Sequence, residues 1–405
     1  MIKPKPYGDN PPKYLIILLG QFVAFGPLSI DMYLPALPEM AQALNTTSAY
    51  MQYTLVSFFI GFCLGMLFYG PFSDLLGRRK MVTCGLSLYV IASFALVIVD
   101  NIHFFIGWRA IQAFGAGAAI VMGRAIARDV YSPEQLPKIL SLMTLVTMSA
   151  PLLAPLVGGY LVYFFDFRAI FIFLTLLGAI SYVIVVFVLP ETIKEKSDNP
   201  NIIVVAFKNY IQLLLDKDAF GTIGVLAFSF AGMFAFVNGS PFVYIEYFGV
   251  EERNYGYLFA LNVIGMIIVL LINVRLLKTI KLTTILGAQS VLMMALGVVL
   301  YLMHNASFAL LVTLIVLYIS FVNAIGANCL AQLLKFRPQL AGSATALAVS
   351  SQFGWAAVSG FVLSLLQDGS PFAMTFLMMV FAILSFVCFI LIDKNEPTAS
   401  PQAKA

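Results

Sequence analysis

Two charged residues of opposite sign interrupt long apolar stretches of this sequence, and their side chains could do chemistry. Asp31 lies in "GPLSIDMYLPALP" (26–38), and Arg109 lies in "FFIGWRAIQAFGAGAA" (104–119). If the two stretches form antiparallel helices, both side chains lie in the same outer third, since Arg109 is then about 9 Å from its helix end. Burial favours the neutral form of a carboxyl group, whereas a nearby guanidinium favours the charged form. We therefore expect one site, in which Asp31 carries a proton and Arg109 helps to set its affinity.

The alternative interpretation is that neither residue is functional. Asp31 would then lie in the membrane interface, and Arg109 would extend its long side chain outward to reach water. Gln112 argues against this alternative, because a residue three positions after Arg109 lies on the same helix face and extends a polar stripe that lipid would penalise.

The composition places these residues in a membrane protein. Of the 405 residues, 61% are hydrophobic and only 10% are charged, and the mean hydropathy is +0.96. Soluble proteins have about 25% charged residues. Lipid must therefore solvate most of the chain, and the first apolar stretch is too long for a secretory signal peptide.

Metal and disulfide chemistry are not expected. The two histidines lie far apart, and no His, Cys or Glu cluster has metal-ligand spacing. All four cysteines fall in apolar segments, where we expect them to pack as free thiols. They are Cys63, Cys84, Cys329 and Cys388.

A membrane-spanning helix needs about 20 mainly apolar residues. That criterion predicts twelve spans: 13–36, 49–71, 81–99, 103–124, 139–163, 168–190, 219–246, 255–275, 282–303, 306–333, 342–367 and 371–392. The charged segment 191–218 divides them into six and six, and part of it could lie as a helix on the membrane surface. We predict an all-α membrane protein with an N-terminal tail (1–12), a first bundle (13–190), a linker (191–218), a second bundle (219–393) and a C-terminal tail (394–405).

Lysine and arginine residues fall almost entirely on one side of this arrangement. We call that side the basic face; it has the "GRRK" loop (77–80), the segment 191–218 and both chain termini. The other side has only Arg168 and Arg253 as basic residues. We call it the acidic face because it has the acids Glu39, Asp100, Asp166, Glu251, Glu252 and Asp368. Because basic loops stay in the cytoplasm, we predict that both termini are cytoplasmic. The net charge of +4 thus reflects topology and does not indicate nucleic-acid binding.

The two halves of the chain resemble each other weakly. "FVAFGPLSIDMY" (22–33) corresponds to "FAFVNGSPFVYIE" (234–246), and "GPFSDLLGRRK" (70–80) corresponds to "NVRLLKTIK" (273–281). Repeated halves with interrupted helices are typical of secondary transporters, whose substrate site lies between the halves. The alternative is a chance match between two apolar sequences.

The loop after the second span combines acid, glycine and base. In "GPFSDLLGRRKMV" (70–82), Asp74 ends the span, Gly77 permits the turn, and Arg78 and Arg79 follow. Asp129 ends the fourth span on the same face, so we expect it to pair with Arg78 or Arg79 and latch these helices together when the cavity opens outward. We assign a cytoplasmic gate to six residues: Gly70, Asp74, Gly77, Arg78, Arg79 and Asp129. Topology alone explains the basic residues but not the acid or the glycine.

The fifth span contains "MSAPLLAPLVGGYL" (148–161). Two prolines four positions apart, followed by two glycines, predict a kinked helix with a flat surface for close packing. The residues of this predicted kink are Pro151, Pro155, Gly158 and Gly159. Ordinary helix packing and a bent contact between the halves are both compatible with the pattern.

Aromatic and amide residues on several spans are candidates for the wall of a substrate cavity. The set comprises Phe25, Tyr33, Tyr53, Gln112, Phe236, Asn238, Tyr244 and Asn262. The alternative for each is packing in the bundle or contact with lipid. Glu246 is either a second acid at the outer mouth or an interfacial carboxylate.

These motifs resemble those of the major facilitator superfamily, and more narrowly the Bcr/CflA group of bacterial drug:proton antiporters. The loop signature of the superfamily is matched at Gly70, Asp74, Gly77, Arg78 and Arg79, and the fourth-span signature at Arg109, Gln112, Gly115 and Gly117. The antiporter signature G-P-x-x-G-G is matched from Pro155 onward, although its first glycine is Ala154. "SIDMYLPALP" (29–38) and "SFAGMFAFVNGSPFVYIE" (229–246) resemble the narrower group.

The resemblance implies two six-helix bundles, alternating access, and export of small amphipathic compounds in exchange for protons across the bacterial inner membrane. It places a proton-carrying acid at Asp31 and a membrane-embedded arginine at Arg109. Some relatives have a second acid earlier in the first span, where this chain has Gln21, Val23 and Phe25. That departure argues against strongly cationic drugs as substrates.

We therefore predict a proton-coupled efflux transporter that acts as a monomer, whose partners are small molecules, protons and membrane lipid, with no cofactor. The alternatives are a dedicated exporter of one metabolite and a proton-independent facilitator of the same fold. An enzyme is disfavoured because no nucleophile and base, and no metal cluster, gather on one membrane face. A channel is disfavoured because no filter segment is visible.

Overall fold

The fold was obtained as a computed structural model, and it describes residues 11–193 and 201–392. Within these ranges the regular structure is entirely helical. Twelve of its helical segments are long and apolar enough to cross a membrane, which confirms the predicted number of spans. The predicted terminal tails lie almost wholly outside the described residues, as do residues 194–200 of the predicted linker.

The helices before the linker are α1 (Lys13–Asp31), α2 (Leu37–Ala43), α3 (Ser48–Leu76), α4 (Arg78–Ile98), α5 (Ile102–Val130), α6 (Leu136–Phe164) and α7 (Arg168–Phe187). A short helix, α8 (Ile202–Leu215), forms the described part of the linker. The helices after it are α9 (Lys217–Pro241), α10 (Glu252–Leu276), α11 (Leu282–Leu302), α12 (Phe308–Ser320), α13 (Val322–Phe336), α14 (Ala341–Leu366) and α15 (Phe372–Leu391).

Three predicted spans differ in detail from the structure. The first continues past Asp31 through a 3₁₀ turn (Leu34–Ala36) into α2, because Pro35 and Pro38 each lack the N–H that an α-helix interior needs. The predicted span 219–246 ends in a π-helical turn (Phe242–Tyr247) that follows Pro241. The predicted span 306–333 is divided at Phe321 into α12 and α13.

The spans form two six-helix bundles, one on each side of α8. In the first bundle α5 packs against α3, α4 and α1, and in the second α9 packs against α14 and α15. Two helix pairs join the bundles: α3 packs against α14, and α6 packs against α10. These two pairs enclose the space between the bundles, where the candidate site lies.

The linker helix α8 lies against the basic-face end of the first of these pairs. Its Phe207 ring contacts Phe68 of α3 at 5.5 Å between ring centroids, and the Tyr210 hydroxyl donates a hydrogen bond to the Leu67 carbonyl at 3.3 Å. Asn209 of α8 donates a hydrogen bond to the Ser343 hydroxyl of α14 at 3.4 Å. The linker is therefore packed against both bundles and bridges them.

Candidate functional site

A cavity of about 420 Å³ lies between the two bundles. Aromatic rings form much of its wall, namely Phe62, Phe230, Phe234, Phe236, Phe259 and Phe353. The polar side chains that line it are Asp31, Arg124, Thr144, Thr147, Asn262, Asn323 and Gln352. A mainly apolar pocket with few polar groups is typical of sites for small organic molecules.

Among the described residues, Asp31 is the only acid that lines this cavity. It is the last residue of α1 and is 6% exposed. Pro27, inside the same helix, also lines the cavity one turn earlier. Within the described ranges no hydrogen bond or ion pair joins the Asp31 carboxyl group to another residue. A proton or a bound molecule is therefore its natural partner.

Arg109 is fully buried on α5 and makes several contacts. Both terminal nitrogens donate hydrogen bonds to the Ser29 carbonyl, each at 3.1 Å, and one also donates to Gln112 Oε1 at 2.7 Å. Its guanidinium carbon lies 4.5 Å from the Tyr33 ring centroid and 4.4 Å from that of Phe58. Such contacts with aromatic faces stabilise a cation that has left water.

Asp31 and Arg109 lie on neighbouring helices, but they do not contact each other directly. Arg109 instead binds the backbone carbonyl of Ser29, two residues before Asp31, and it does not line the cavity. The side chains of two residues that lie two positions apart on an α-helix point in directions that differ by about 200°. The arginine therefore holds α1 from behind, while Asp31 faces the cavity on the other side of the same helix.

Gln112 belongs to the Arg109 network and not to the cavity wall. Its Nε2 donates a hydrogen bond to the Ser93 hydroxyl at 2.8 Å while its Oε1 accepts from Arg109. The network thus joins α1, α4 and α5. Arg109 and Gln112 lie on the same face of α5, as predicted for the polar stripe, but that face points into the interior of the first bundle.

Of the eight predicted wall residues, Phe236 and Asn262 line the cavity. The other six pack inside the bundles or between them. Gln112 belongs to the Arg109 network, and the remaining five make the contacts that follow. Phe25 meets Tyr89, Tyr33 hydrogen-bonds Thr54 and covers Arg109, Tyr53 stacks on Phe361, Asn238 donates to the Phe234 carbonyl, and Tyr244 contacts Phe308. Residue type alone did not reveal which side of each helix faces the cavity.

The sequence-based prediction missed Arg124 and most of the aromatic wall. Arg124 lies six residues before the end of α5, and its side chain is exposed within the cavity. Arg124 is the last residue of the predicted fourth span, whereas Arg128 lies one turn further along, in the last turn of α5, and this position within the apolar span is the signal that could have identified Arg124.

The basic-face ends of α3 and α5 are joined by the expected ion pair, which Arg78 makes. Its Nε lies 3.1 Å from Asp129 Oδ2, and its Nη1 lies 2.6 Å from Asp74 Oδ1. Gly77, with φ of 105°, ends α3 and starts α4, in a conformation that favours glycine. The Arg78 backbone N–H donates a hydrogen bond to Glu191 at 2.9 Å, so this cluster also holds the start of the linker.

All helix ends in this cluster belong to the first bundle. Arg79 donates a hydrogen bond to the Val186 carbonyl of α7 and not to Asp129, and a Cβ atom added to Gly70 would meet nothing within 4 Å. Asp74, Arg78 and Asp129 therefore tie α3 to α5, and the contact to the linker through Glu191 is the connection that leads out of the first bundle.

The helix α6, which contains Pro151 and Pro155, runs between α1 and α10. A Cβ atom on Gly158 would lie 1.9 Å from the Met32 carbonyl oxygen, so this glycine permits close approach to the residue after Asp31. Gly159 faces the Glu252 carbonyl at the start of α10. Pro155 is buried, and Pro151 lines the cavity. The predicted close-packing surface is present and is shared between the two bundles.

Contacts between the bundles are concentrated toward the acidic face. The Tyr160 and Tyr257 hydroxyls of α6 and α10 lie 3.1 Å apart, and Tyr53 of α3 stacks on Phe361 of α14. The cavity lining instead extends from Asp31 toward the basic-face ends of the helices, where Arg124 and Leu330 lie. The bundles therefore contact each other on the acidic-face side of Asp31 and are separated by the cavity on its basic-face side. The Arg78–Asp129 pair is thus formed without the outward-open cavity that was expected to accompany it.

Within the described residues no group of three His, Cys, Asp or Glu side chains has the proximity to hold a metal ion. The four cysteines, all in the described ranges, are free thiols.

Comparisons with known proteins agree with this architecture. A family model described as the Major Facilitator Superfamily matches residues 17–361. The chain is 31% identical over 389 residues to the bicyclomycin resistance protein homolog of Haemophilus influenzae, covering 94% of this chain and 96% of that protein. It is 34% identical over 165 residues to multidrug resistance protein D of Escherichia coli K12, covering 41% and 42% of the two chains.

Two solved structures show the same fold. A bacterial homolog of the human lysosomal transporter Spinster superposes with a TM-score of 0.74 at 12% identity, covering 95% of this chain and 98% of that one. A D-xylose–proton symporter superposes with a TM-score of 0.70 at 14% identity, with the same coverage. At such identities the likeness concerns the fold alone.

Proposed function

We propose that this chain exports small amphipathic molecules from bacteria in exchange for protons. The premise is that it belongs to the major facilitator superfamily and is therefore a transporter and not an enzyme. The relatives are bacterial, and the chain is a multi-pass membrane protein. Substrate class, proton exchange and the roles of individual residues are the content of the proposal.

The observation that carries the proposal is the state of Asp31. It is a nearly buried carboxyl group that faces a cavity large enough for a small organic molecule and has no protein partner within the described ranges. An ionised carboxylate in such surroundings is costly unless it is paired. It therefore binds either a proton or a hydrogen-bond donor of the substrate, and this competition couples the two fluxes in opposite directions.

Arg109 acts in this proposal as a positioning residue. Its two hydrogen bonds to the Ser29 carbonyl hold the last turn of α1, so they set the direction in which Asp31 faces the cavity. The aromatic rings and Gln112 keep the guanidinium in place without an acidic partner. The charge of Arg109 thus supports the site through the helix backbone.

Alternating access follows from the two bundles and their contacts. We assign the basic face to the cytoplasm on the positive-inside rule, with both termini there. The bundles, with boundaries at 13–190 and 219–393, would rock about the cavity, so that the α6–α10 and α3–α14 contacts open on the acidic face. The Arg78 cluster would hold the cytoplasmic ends of α3 and α5 together as one rigid unit, in contact with the linker, during this motion.

Export of drug-like compounds is supported by the two named relatives, whose names refer to bicyclomycin resistance and multidrug resistance. The aromatic cavity wall fits the same class, since flat rings stack on apolar molecules of many shapes.

Proton-coupled transport can be tested in proteoliposomes loaded with bicyclomycin and an internal pH-sensitive dye. A pH step that makes the outside acidic should drive drug efflux together with internal acidification in the wild type. Asp31→Asn, which keeps the shape of the side chain but cannot exchange a proton, should lose the proton flux and the pH-driven efflux. Asp368→Asn is the matched control, because Asp368 lies on an exposed loop between α14 and α15 and hydrogen-bonds Ser370.

The outcomes separate the alternatives. Equal pH-independent efflux in the wild type and Asp31→Asn would reject proton exchange and favour a facilitator. No movement of bicyclomycin, combined with Asp31-dependent acidification when cell metabolites are supplied, would favour a dedicated metabolite exporter.

A further inference from the structure

A second charged side chain lines the cavity, and proton exchange does not use it. Arg124 of α5 is exposed within the cavity, and no ion pair or hydrogen bond to it is found in the described parts of the chain. A guanidinium has five N–H donors and no acceptor, so it binds anions and hydrogen-bond acceptors. In a mainly apolar cavity, a guanidinium without a protein partner is therefore available to an acceptor group of a bound molecule.

The surroundings of Arg124 do not neutralise its charge. The nearest basic neighbour along the helix is Arg128, one turn further, and it adds to the positive potential. Asp129 is on the same helix end, but it is bound by Arg78 and hydrogen-bonded by the Thr192 hydroxyl. The basic-face end of the cavity is therefore a place where a negative or strongly electronegative group is attracted.

The two charged groups of the cavity lie at opposite ends of it. Gly123, next to Arg124, packs against α1 at the level of Phe22, where a Cβ atom on Gly123 would lie 3.2 Å from the Phe22 Cβ. Asp31 is nine residues further along α1, which corresponds to about 13 Å at 1.5 Å per residue. No ion pair joins Asp31 to Arg124 among the described residues, and a molecule of two linked rings has a length comparable to this separation along α1.

The space between the two charges is lined by aromatic rings. Phe62 and Phe353, from opposite bundles, meet with their ring centroids 4.5 Å apart, and both line the cavity. Gly26 lies beside Phe62, between the levels of Phe22 and Asp31. The middle of the cavity therefore suits an apolar or aromatic body.

We propose that the substrates are two-ended molecules, with an anion or strong hydrogen-bond acceptor at one end, an aromatic or aliphatic body, and a hydrogen-bond donor at the other end. Arg124 binds the acceptor end, the aromatic wall holds the body, and the donor end binds the Asp31 carboxylate. This inference rests on the proposed proton exchange, because the donor end replaces the proton on Asp31. A molecule with only an acceptor end does not displace that proton, and a molecule that is cationic at both ends is repelled by Arg124.

The inference can be tested with three probes that share a biphenyl body. The first has a hydroxyl group at one end and a carboxylate at the other, the second has only the carboxylate, and the third has only the hydroxyl group. Their Kd values are measured by calorimetry on the purified full chain in lipid nanodiscs, without any gradient. Arg124→Gln and Arg124→Lys are compared with Arg128→Gln, which removes the same charge one turn away and outside the cavity wall.

The wild type should bind the two-ended probe most tightly. Arg124→Gln should weaken that probe and the carboxylate probe by about ten- to a hundredfold, the range expected for loss of hydrogen bonds to charged groups, and should leave the hydroxyl probe unchanged. Arg124→Lys should recover part of the loss because it keeps the charge. Arg128→Gln should change every Kd by much less than Arg124→Gln, because Arg128 does not line the cavity and cannot donate a hydrogen bond to the probe.

Several results would overturn the inference. One is a wild type that binds the two-ended probe no more tightly than the other probes, or that binds none of them. Another is an Arg124→Gln variant that weakens the hydroxyl probe as much as the carboxylate probes, since that loss would be structural. These results leave the proposed function standing if Asp31→Asn still abolishes proton-driven bicyclomycin efflux. Conversely, the expected probe selectivity together with proton-independent efflux would refute the proton exchange alone.

Discussion

Replacement of Gly158 by alanine tests how closely α6 must approach α1 to hold Asp31 in place. The added Cβ would lie 1.9 Å from the Met32 carbonyl oxygen and 2.7 Å from its carbon. Both are backbone atoms, so no side-chain rotation can relieve the contact. One of the two helices therefore has to move until this distance approaches that of a normal van der Waals contact, about 3.5 Å.

Such overpacking typically costs about 1–3 kcal/mol. The apparent melting temperature of the protein in detergent should therefore fall by roughly 2–6 °C, at about 2 °C per kcal/mol for a large chain. Gly107→Ala is the matched control: it makes the same change in a membrane helix, but its Cβ meets nothing within 4 Å. That variant should be as stable as the wild type or slightly more stable, because alanine favours helix over glycine.

Because Met32 follows Asp31, the displacement should also slow proton-driven efflux in Gly158→Ala. The assay is fluorescence-detected melting combined with the proteoliposome efflux measurement. Equal melting temperatures for Gly158→Ala and Gly107→Ala would refute the reasoning, since they would show that α6 and α1 separate at no cost.

Two further predictions concern the basic face. In the Arg78 cluster, Arg78→Gln and Asp129→Asn should each destabilise the protein by about 1–3 kcal/mol, and the double variant by clearly less than their sum; additive losses in chemical denaturation would contradict the ion pair. At the start of α9, burial by itself would raise the pKa of Asp216. The hydrogen bonds that its carboxylate accepts from Arg337 and from the Ala219 N–H outweigh burial and lower the pKa below its ordinary value of 3.8. A lowered pKa stabilises the folded state at pH values above the ordinary pKa, so Asp216→Asn should have a lower melting temperature than the wild type at neutral pH. The difference should narrow only as the pH falls below about 4, where the carboxylate of the folded wild type becomes protonated. A difference that does not depend on pH would contradict the linkage.

The number and approximate positions of the membrane spans could be predicted from local properties of the chain. Each span is recognisable because its apolar stretch is long enough to cross the hydrocarbon layer, and most breaks between spans contain a proline, a glycine or a charged residue. The break at Phe321 was missed because no proline, glycine or charge marks it. The ends of the spans differ by several residues, since helices such as α5 continue past the end of the predicted apolar stretch at residue 124 to Val130.

The candidate site was only partly predictable. Asp31 was found because an acid inside an apolar stretch is conspicuous, and Arg78 with Asp129 because both lie at helix ends on one face. The wall of the cavity was mostly missed, since Phe25 and Phe62 are equally apolar in the sequence and only one of them faces the cavity.

The sequence by itself determined how many helices cross the membrane, where charges interrupt them, and which residues lie at similar depth. Those properties depend on neighbours along the chain and on the cost of placing polar groups in lipid. Only the tertiary structure decided which side of each helix faces the cavity, because that depends on packing between residues far apart in sequence. It put Arg109 behind α1 on the Ser29 carbonyl, left Asp31 unpaired in the cavity, and placed Arg124 at the opposite end.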